Sequence, residues 1–264
     1  MLIGCHSILS EDMKLTYAPI RKRALQIISR YPSPDFYQDH SLSNELSRQY
    51  FETSPSTVRL LTFVANKLED DLGHGLEHAV KVAMDAGALM IIENKLVGAS
   101  NELINRRVII VQCAALLHDI KRKQENHAVR GAAYARKVLK TYPFDADEIE
   151  DICLAIRNHE AFKNTVKSNT LQGTLVSDCL YDADKFRWGP DNFSDTVWKM
   201  TSFFKIPVVK FMELYPGGME TVAKIKHTFR TNTGKKYGPQ FIDIGLAIGE
   251  ELFEVIHTEF AHLL

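Results

Sequence analysis

Histidine and aspartate residues recur in five short segments of this chain. The segments are HGLEH, LLHD, NHAVRGA, IRNHE and LYDADKF, and they contain His74 and His78, His118 and Asp119, His127, His159, and Asp182 and Asp184. Imidazole and carboxylate ligands together suit Zn, Fe, Mn and similar ions, whereas a closed structural zinc site usually contains thiolates. Water fills the open positions of such a site, and a coordinated water is a nucleophile at neutral pH. The residue types therefore favour a metal site with an activated water.

The adjacent pair His118 and Asp119 directly follows the apolar run VIIVQCAALL. Burial of an aspartate without a partner is costly, so either a salt bridge or a metal ion must supply the partner. Neighbouring side chains on a helix diverge by about 100°, so the two residues could ligate one ion only at a site that reaches across both.

His74 and His78 are four residues apart, which places both imidazoles on one face if a helix has begun by residue 74. Such a pair is weak evidence for a metal by itself. A surface or capping role is equally compatible with the spacing.

Helices must position these residues, because helical periodicity dominates the sequence and strict alternation is rare. Glycine and proline in YPSP, WGPDNF and YPGG predict loops. The predicted helices span Tyr17–Arg30, Ser43–Phe51, Ser56–Asp70, Leu76–Asn94, Arg106–Leu117, His127–Thr141, Asp145–Asn158, Leu175–Phe186 and about Phe241–Leu263. The sequence therefore predicts a nearly all-α protein, organised as one compact unit.

The composition indicates a globular protein and argues against two classes of partner. The chain has 264 residues, of which 45% are apolar, so it can bury a sizeable core. Lys and Arg number 32 against 33 Asp and Glu, so neither a nucleic-acid polymer nor a membrane surface is an expected partner. The four cysteines are far apart and the N-terminus lacks a cleavable signal pattern, so we expect reduced thiols and a cytoplasmic location.

The order H…HD…D, formed by His78, His118, Asp119 and Asp184, resembles the HD-domain superfamily of metal-dependent phosphohydrolases. The flanking segments HAVKVA, AALLHDI and DADKF match the local pattern of that family, and the resemblance covers roughly residues 72–193. It implies an HD-domain helical bundle at 56–193. Residues 1–55 are then an N-terminal helical extension, and residues 194–264 are C-terminal helices that pack on the HD domain.

The resemblance also implies a set of metal ligands. His78, His118, Asp119 and Asp184 would bind one divalent ion (Fe, Mn, Zn, Co, Ni or Mg) in the middle of the bundle. Asp184 fits the A-D-K run of the family better than Asp182, which is the alternative ligand.

A second metal ion is a further expectation from the same resemblance. Some HD enzymes, including dinucleoside tetraphosphate hydrolases and cyclic-dinucleotide phosphodiesterases, have two more histidines between the dyad and the last aspartate. His127 and His159 resemble these, although many such enzymes have a double histidine where this chain has Asn158 and His159. In the alternative, His127 caps a helix and His159 forms hydrogen bonds in the site.

Cations near the motifs suggest how a phosphate could be held. Lys121, Arg122 and Lys123 follow the dyad, and Lys185 follows Asp184. Positive charge there would favour an anionic substrate and the charge that develops in phosphoryl transfer. A solvated helix surface is the alternative for each of the first three.

The segment HTFRTNTGKKYGP combines cations, hydroxyl groups and glycines. Arg230, Lys235 and Lys236 in it are candidates for a phosphate or nucleotide clamp. Loops of this composition are also common on inert surfaces.

These features predict a metal-dependent phosphohydrolase that acts on a nucleotide or other small phosphoester through a metal-activated water. Asp119 and Lys185 are expected in the catalytic centre, and Asp182, His74 or His159 could assist proton transfer. Two alternatives stay open: a non-catalytic nucleotide-binding module, and a di-iron oxygenase of the HD type. A homodimer is compatible with the sequence.

Overall fold

Every regular element in the described part of the chain is helical. A computed structural model describes residues 4–68 and 75–264, with side chains described from Thr16 onward. No β-strand occurs among these residues, which confirms the all-α prediction. None of the described helices combines the length and the apolar character needed to cross a bilayer.

Twelve α-helices are described. They are α1 (Gly4–Ile28), α2 (Asp35–Asp39), α3 (Ser41–Thr53), α4 (Pro55–Ala65), α5 (Leu76–Leu96), α6 (Asn101–Leu117), α7 (His127–Leu139), α8 (Ala146–Arg157), α9 (Leu171–Phe186), α10 (Val197–Phe203), α11 (Val208–Ile225) and α12 (Asn232–Glu259). A π-helical turn (Asn192–Thr196) precedes α10, and a 3₁₀ turn (Ala261–Leu263) follows α12.

The larger hydrophobic cluster is built around α5 and α6, which pack along each other. Helices α3 and α4 cover one side of this pair, and α7, α8 and α9 complete the bundle. The apolar run of α6 is buried from residue 110 to residue 117, so its following residues enter the middle of the bundle. A helix that is apolar on all sides belongs in such a central position.

Small residues on α7 bring its backbone close to the dyad. A Cβ atom at Gly131 would lie 3.4 Å from the His118 carbonyl oxygen and 3.4 Å from the Ile156 side chain. Ala128, Ala132 and Ala135 are also buried on this helix. The short side chains allow α7 to approach α8 and the end of α6.

A second hydrophobic cluster joins the two ends of the chain. Ile20, Ala24 and Ile27 of α1 belong to it together with Ile248 and Leu252 of α12, and all five are buried. Helices α10 and α11 contribute further residues. Helix α1 therefore packs with the C-terminal helices, whereas α2, α3 and α4 are nearer to α5 and α6.

Two glycine-rich segments that predict loops lie inside helices. The prediction of a loop at YPGG is wrong, because residues 215–218 lie within α11. Helix α12 begins at Asn232 and contains Gly234, Gly238 and Pro239. Glycine is required at 238, because a Cβ atom there would lie 2.4 Å from the Phe229 ring. Tertiary packing thus overrides the weak helix propensity of these residues.

Candidate metal centre

Four side chains from three helices converge on one point in the bundle. His78 lies in the first turn of α5, His118 and Asp119 follow α6, and Asp184 lies in the last turn of α9. His78 Nε2 is 3.3 Å from His118 Nε2 and 3.2 Å from Asp184 Oδ1. His118 Nε2 is 3.3 Å from Asp119 Oδ2. We call these four residues the first cluster.

The spacing of the first cluster suits ligands of a single ion. Adjacent donor atoms that bind one ion at about 2.1 Å lie about 3.0–3.4 Å apart, and opposite ones lie up to about 4.2 Å apart. His78 Nε2 is 4.0 Å from Asp119 Oδ2, and His118 Nε2 is 3.8 Å from Asp184 Oδ1, so these pairs also fall within that range. The set of two imidazoles and two carboxylates fits divalent ions such as Fe, Mn, Co, Ni and Zn. All four side chains are buried or nearly so, and burial is unfavourable for a carboxylate unless a cation balances its charge.

A second group of donors lies on the other side of the Asp119 carboxylate. Asp119 Oδ1 is 3.5 Å from His127 Nε2 and 3.4 Å from His159 Nε2. The two imidazole Nε2 atoms are 3.3 Å apart. His127 is the first residue of α7, and His159 follows the end of α8. Together with Asp119, these residues form the second cluster, so Asp119 is common to both.

Backbone carbonyls fix the orientation of two of the imidazoles. His118 Nδ1 is 2.6 Å from the carbonyl oxygen of Ala115, and His159 Nδ1 is 2.6 Å from that of Ile156. A carbonyl can only accept, so Nδ1 carries the hydrogen and donates it. The Nε2 lone pair of each ring therefore faces its cluster, as in metal-binding histidines.

The surrounding charges keep the carboxylate of Asp184 ionised. Burial alone would raise its pKa, but Lys185, His78 and His118 hold the pKa of Asp184 well below its ordinary value. Burial lowers the pKa of His118, whereas Asp119 and Asp184 raise it more strongly. The first cluster thus favours positive charge beside its carboxylates.

The pKa of His127 shifts in the opposite direction from that of His118. The pKa of His127 is lowered to about 4, mainly by burial and also by the nearby Arg122 charge, against the opposing effect of Asp119. The imidazole is therefore neutral at pH 7, which is the form that binds a metal.

Of the four predicted cations that follow the His118–Asp119 dyad or Asp184, two lie at the clusters and two do not. Lys185 is buried and forms an ion pair with Asp184, and its Nζ lies 5.1 Å from the centre of the Tyr181 ring. Arg122 Nη1 is 2.9 Å from His127 Nε2. Lys121 and Lys123 instead lie over aromatic rings, namely those of Tyr134 and Phe203.

Asp182 is turned away from the first cluster, toward the start of α12. Its Oδ1 accepts the Arg230 N–H at 2.8 Å, and its Oδ2 accepts the Thr231 N–H at 2.8 Å and the Thr231 hydroxyl at 2.7 Å. Glu93 on α5 accepts the Thr233 N–H at 2.7 Å and its hydroxyl at 2.6 Å. Burial raises the pKa of Asp182 to about 7, against the opposing effect of these hydrogen bonds.

The backbone N–H groups at the start of α12 are therefore bonded to buried carboxylates. A phosphate at a helix N-terminus would need these same groups. Lys236 donates to Tyr237 Oη at 2.9 Å, and Lys235 is exposed. Residues 230–233 thus connect the start of α12 to α5 and α9. Neither Lys235 nor Lys236 has a described contact with the two clusters.

Arg230 belongs to a separate polar cavity of about 340 Å³. Its guanidinium lies 3.5 Å from the centre of the Tyr181 ring and donates to the Asn158 carbonyl at 3.1 Å. Asn158 also bonds both backbone groups of Val166, each at 2.9 Å. Asn158 thus holds the segment that follows His159.

Some residues around the centre were not singled out by the sequence. Glu160 Oε1 lies 3.9 Å from His127 Nδ1. Its position directly after His159 is the one sequence feature that points to a place near the second cluster. Asp85 and Arg187 form a buried ion pair between α5 and α9. The sequence shows how far Asp85 lies from His78 and Arg187 from Asp184 along the chain. It does not show that Asp85 and Arg187 contact each other. His74 lies outside the described residues.

A family model, the HD domain, matches residues 75–189. The chain contains an HD domain. All six residues of the two clusters lie within this HD domain, and the match confirms the superfamily predicted from the motifs. HD domains occur in metal-dependent hydrolases, and each cluster of this HD domain contains three His and Asp donors that lie close enough together to hold a metal ion.

The chain is similar to a solved structure described as a predicted HD superfamily hydrolase from an uncultured Thermotogales bacterium. The similarity has a TM-score of 0.48 and 22% identity, and it covers 81% of this chain and 98% of the other. In the comparison with curated proteins, nothing matches.

Proposed function

We propose that the protein is a phosphohydrolase with a dinuclear metal centre, which acts on a small phosphodiester such as a dinucleotide. The observation that carries the proposal is the position of Asp119. Its Oδ2 faces His118 in the first cluster, and its Oδ1 faces His127 and His159 in the second. A carboxylate whose two oxygens face two sets of imidazoles is suited to bridge two ions.

Divalent ions at these positions would lower the pKa of coordinated water and polarise a phosphoryl oxygen. The residues of the protein provide the rest of the chemistry. Arg122 lies at the second cluster, where its guanidinium can donate to an anionic oxygen of the substrate. Lys185 balances the charge of Asp184, which keeps that carboxylate available as a ligand.

Protein purified without chelator and assayed with Mn²⁺ tests the proposal. We expect hydrolysis of bis-p-nitrophenyl phosphate at a higher kcat/KM than that of p-nitrophenyl phosphate. His118→Ala removes a ligand of the first cluster and should lower kcat/KM at least about 100-fold. His257→Ala, at an exposed position on α12, is the matched control and should leave kcat/KM unchanged.

Other results would favour the alternatives. Nucleotide binding without turnover would indicate a binding module. Oxygen consumption by iron-loaded protein would indicate an oxygenase. Equal turnover by wild type and His118→Ala would show that the activity does not come from this site.

A further inference from the structure

A buried ion pair connects the two helices that carry His78 and Asp184. Asp85 lies seven residues after His78 on α5, and Arg187 lies three residues after Asp184 at the end of α9. Arg187 Nη2 donates to Asp85 Oδ2, and these residues are only 7% and 4% exposed. Residues three, four or seven apart share one face of a helix, so the pair lies on the same faces as the two ligands.

A second connection returns from the end of α9 to α5. Arg187 Nη1 donates to Asp191 Oδ2 at 2.5 Å, and Lys81 Nζ donates to Asp191 Oδ1 at 3.4 Å. Lys81 is three residues after His78 on α5. The two helices are thus joined by charged groups at two points along the face that contains His78.

Tyr37 of α2 completes the buried part of this network. Its hydroxyl donates to Asp85 Oδ2 at 3.0 Å, and Arg187 Nη2 lies 2.7 Å from the same hydroxyl oxygen. The carboxylate of Asp85 is therefore contacted from two directions and has one defined position.

Such a network is better suited to fixing geometry than to adding stability. A buried ion pair gives little net stability compared with apolar residues of similar size, because both charges lose their hydration. Its directional hydrogen bonds do, however, fix the position of α9 along the axis of α5. The 3.2 Å separation between His78 Nε2 and Asp184 Oδ1 depends on that displacement.

We propose that Asp85 and Arg187 are positioning residues for the metal ion of the first cluster. The second cluster takes His127 and His159 from α7 and the end of α8, so it does not depend on the contact between α5 and α9. Loss of the ion pair should therefore weaken one metal site selectively. The inference rests on the metal centre proposed above.

Metal titration of chelator-treated protein with Mn²⁺ tests this proposal. The main variant is Asp85→Asn combined with Arg187→Gln, which removes both buried charges together. His78→Ala and His127→Ala provide reference titrations for loss of the first and second site. Leu252→Ala is the stability control, because Leu252 is buried in the second hydrophobic cluster, away from α5 and α9.

We expect the double variant to bind one ion about 10- to 100-fold more weakly than wild type and the other ion unchanged, as supporting residues of metal ligands typically behave. Its titration should resemble that of His78→Ala. Leu252→Ala should lower the melting temperature without changing either affinity. Asp191→Asn, which removes only the second connection, should weaken the same site several-fold and keeps the test available if the double variant does not fold.

Both affinities within about twofold of wild type, together with a lower melting temperature, would overturn the positioning role and leave a structural one. Equal weakening of both sites would also overturn it, because the effect would not be selective. Wild-type protein that binds no ion would instead contradict the metal centre itself.

Discussion

Asp119 connects the two clusters at the level of a single residue. The sequence places it beside His118, and the family pattern makes both residues ligand candidates. The sequence could not show that Oδ1 and Oδ2 face different sets of imidazoles. That arrangement depends on the rotamer of one side chain and on how the ends of α6, α7 and α8 meet.

The sequence also could not show which of the cations after His118 and Asp119 lies beside the clusters. Lys121, Arg122 and Lys123 have similar charges, and nothing in their order distinguishes them. The turn after α6 directs Arg122 toward His127, whereas Lys121 lies 4.0 Å from the centre of the Tyr134 ring. Only the direction of each side chain distinguishes Arg122, which lies beside the second cluster, from Lys121, which lies over an aromatic ring.

Arg122→Ala should therefore raise the KM for a phosphodiester, and Lys121→Ala should not. Loss of a charge-assisted hydrogen bond to the substrate is expected to raise KM about tenfold. Steady-state kinetics of the two variants with bis-p-nitrophenyl phosphate measure the difference. Equal effects of the two substitutions would argue against a direct role of Arg122.

At the level of elements, α12 shows where a sequence pattern is insufficient. Gly234, Gly238 and Pro239 predict a loop, but the helix begins at Asn232. Buried carboxylates on α5 and α9 bond the N–H groups that a helix leaves unpaired at its start. These partners are about 50 and 140 residues away along the chain, so local propensity contains no information about them.

Two glycine substitutions test this account of the helices. A Cβ atom at Gly234 would lie 2.0 Å from Asp182 Oδ2, so Gly234→Ala should displace that carboxylate and lower the free energy of unfolding by about 1–3 kcal/mol. Gly217 lies within α11 with nothing within 4 Å of an added Cβ atom. Gly217→Ala should raise the free energy of unfolding by about 0.5–1 kcal/mol.

Urea unfolding followed by circular dichroism measures both changes. Gly217→Ala is the matched control, since it makes the same substitution inside a helix without the contact. A Gly234→Ala variant as stable as wild type would mean that Asp182 does not anchor α12.

At the level of the whole molecule, α12 joins the two hydrophobic clusters. Phe241 and Ile242 belong to the larger cluster, and Ile248 and Leu252 belong to the second. Periodicity predicts most helices of the bundle, because their apolar faces are encoded locally. It cannot predict that α1 packs on α12, since that contact joins opposite ends of the chain.

For the candidate metal centre, too, the local sequence is informative and the contacts between distant segments are not visible in it. The order of the HD motifs predicts the residues of the candidate metal centre, whereas the number of ions depends on how five separate segments converge. The second cluster has its donors at 3.3–3.5 Å from one another, which is the observation in favour of two ions.

Metal content per chain decides between one ion and two. Elemental analysis of protein purified without oxygen, chelator or a metal affinity column should give about two divalent ions per chain for wild type. The His127→Ala, His159→Ala double variant should give about one, with an unchanged far-UV circular dichroism spectrum. One ion per chain in both proteins would contradict the dinuclear centre, and no ion in wild type, before or after addition of Mn²⁺, would contradict the metal centre altogether.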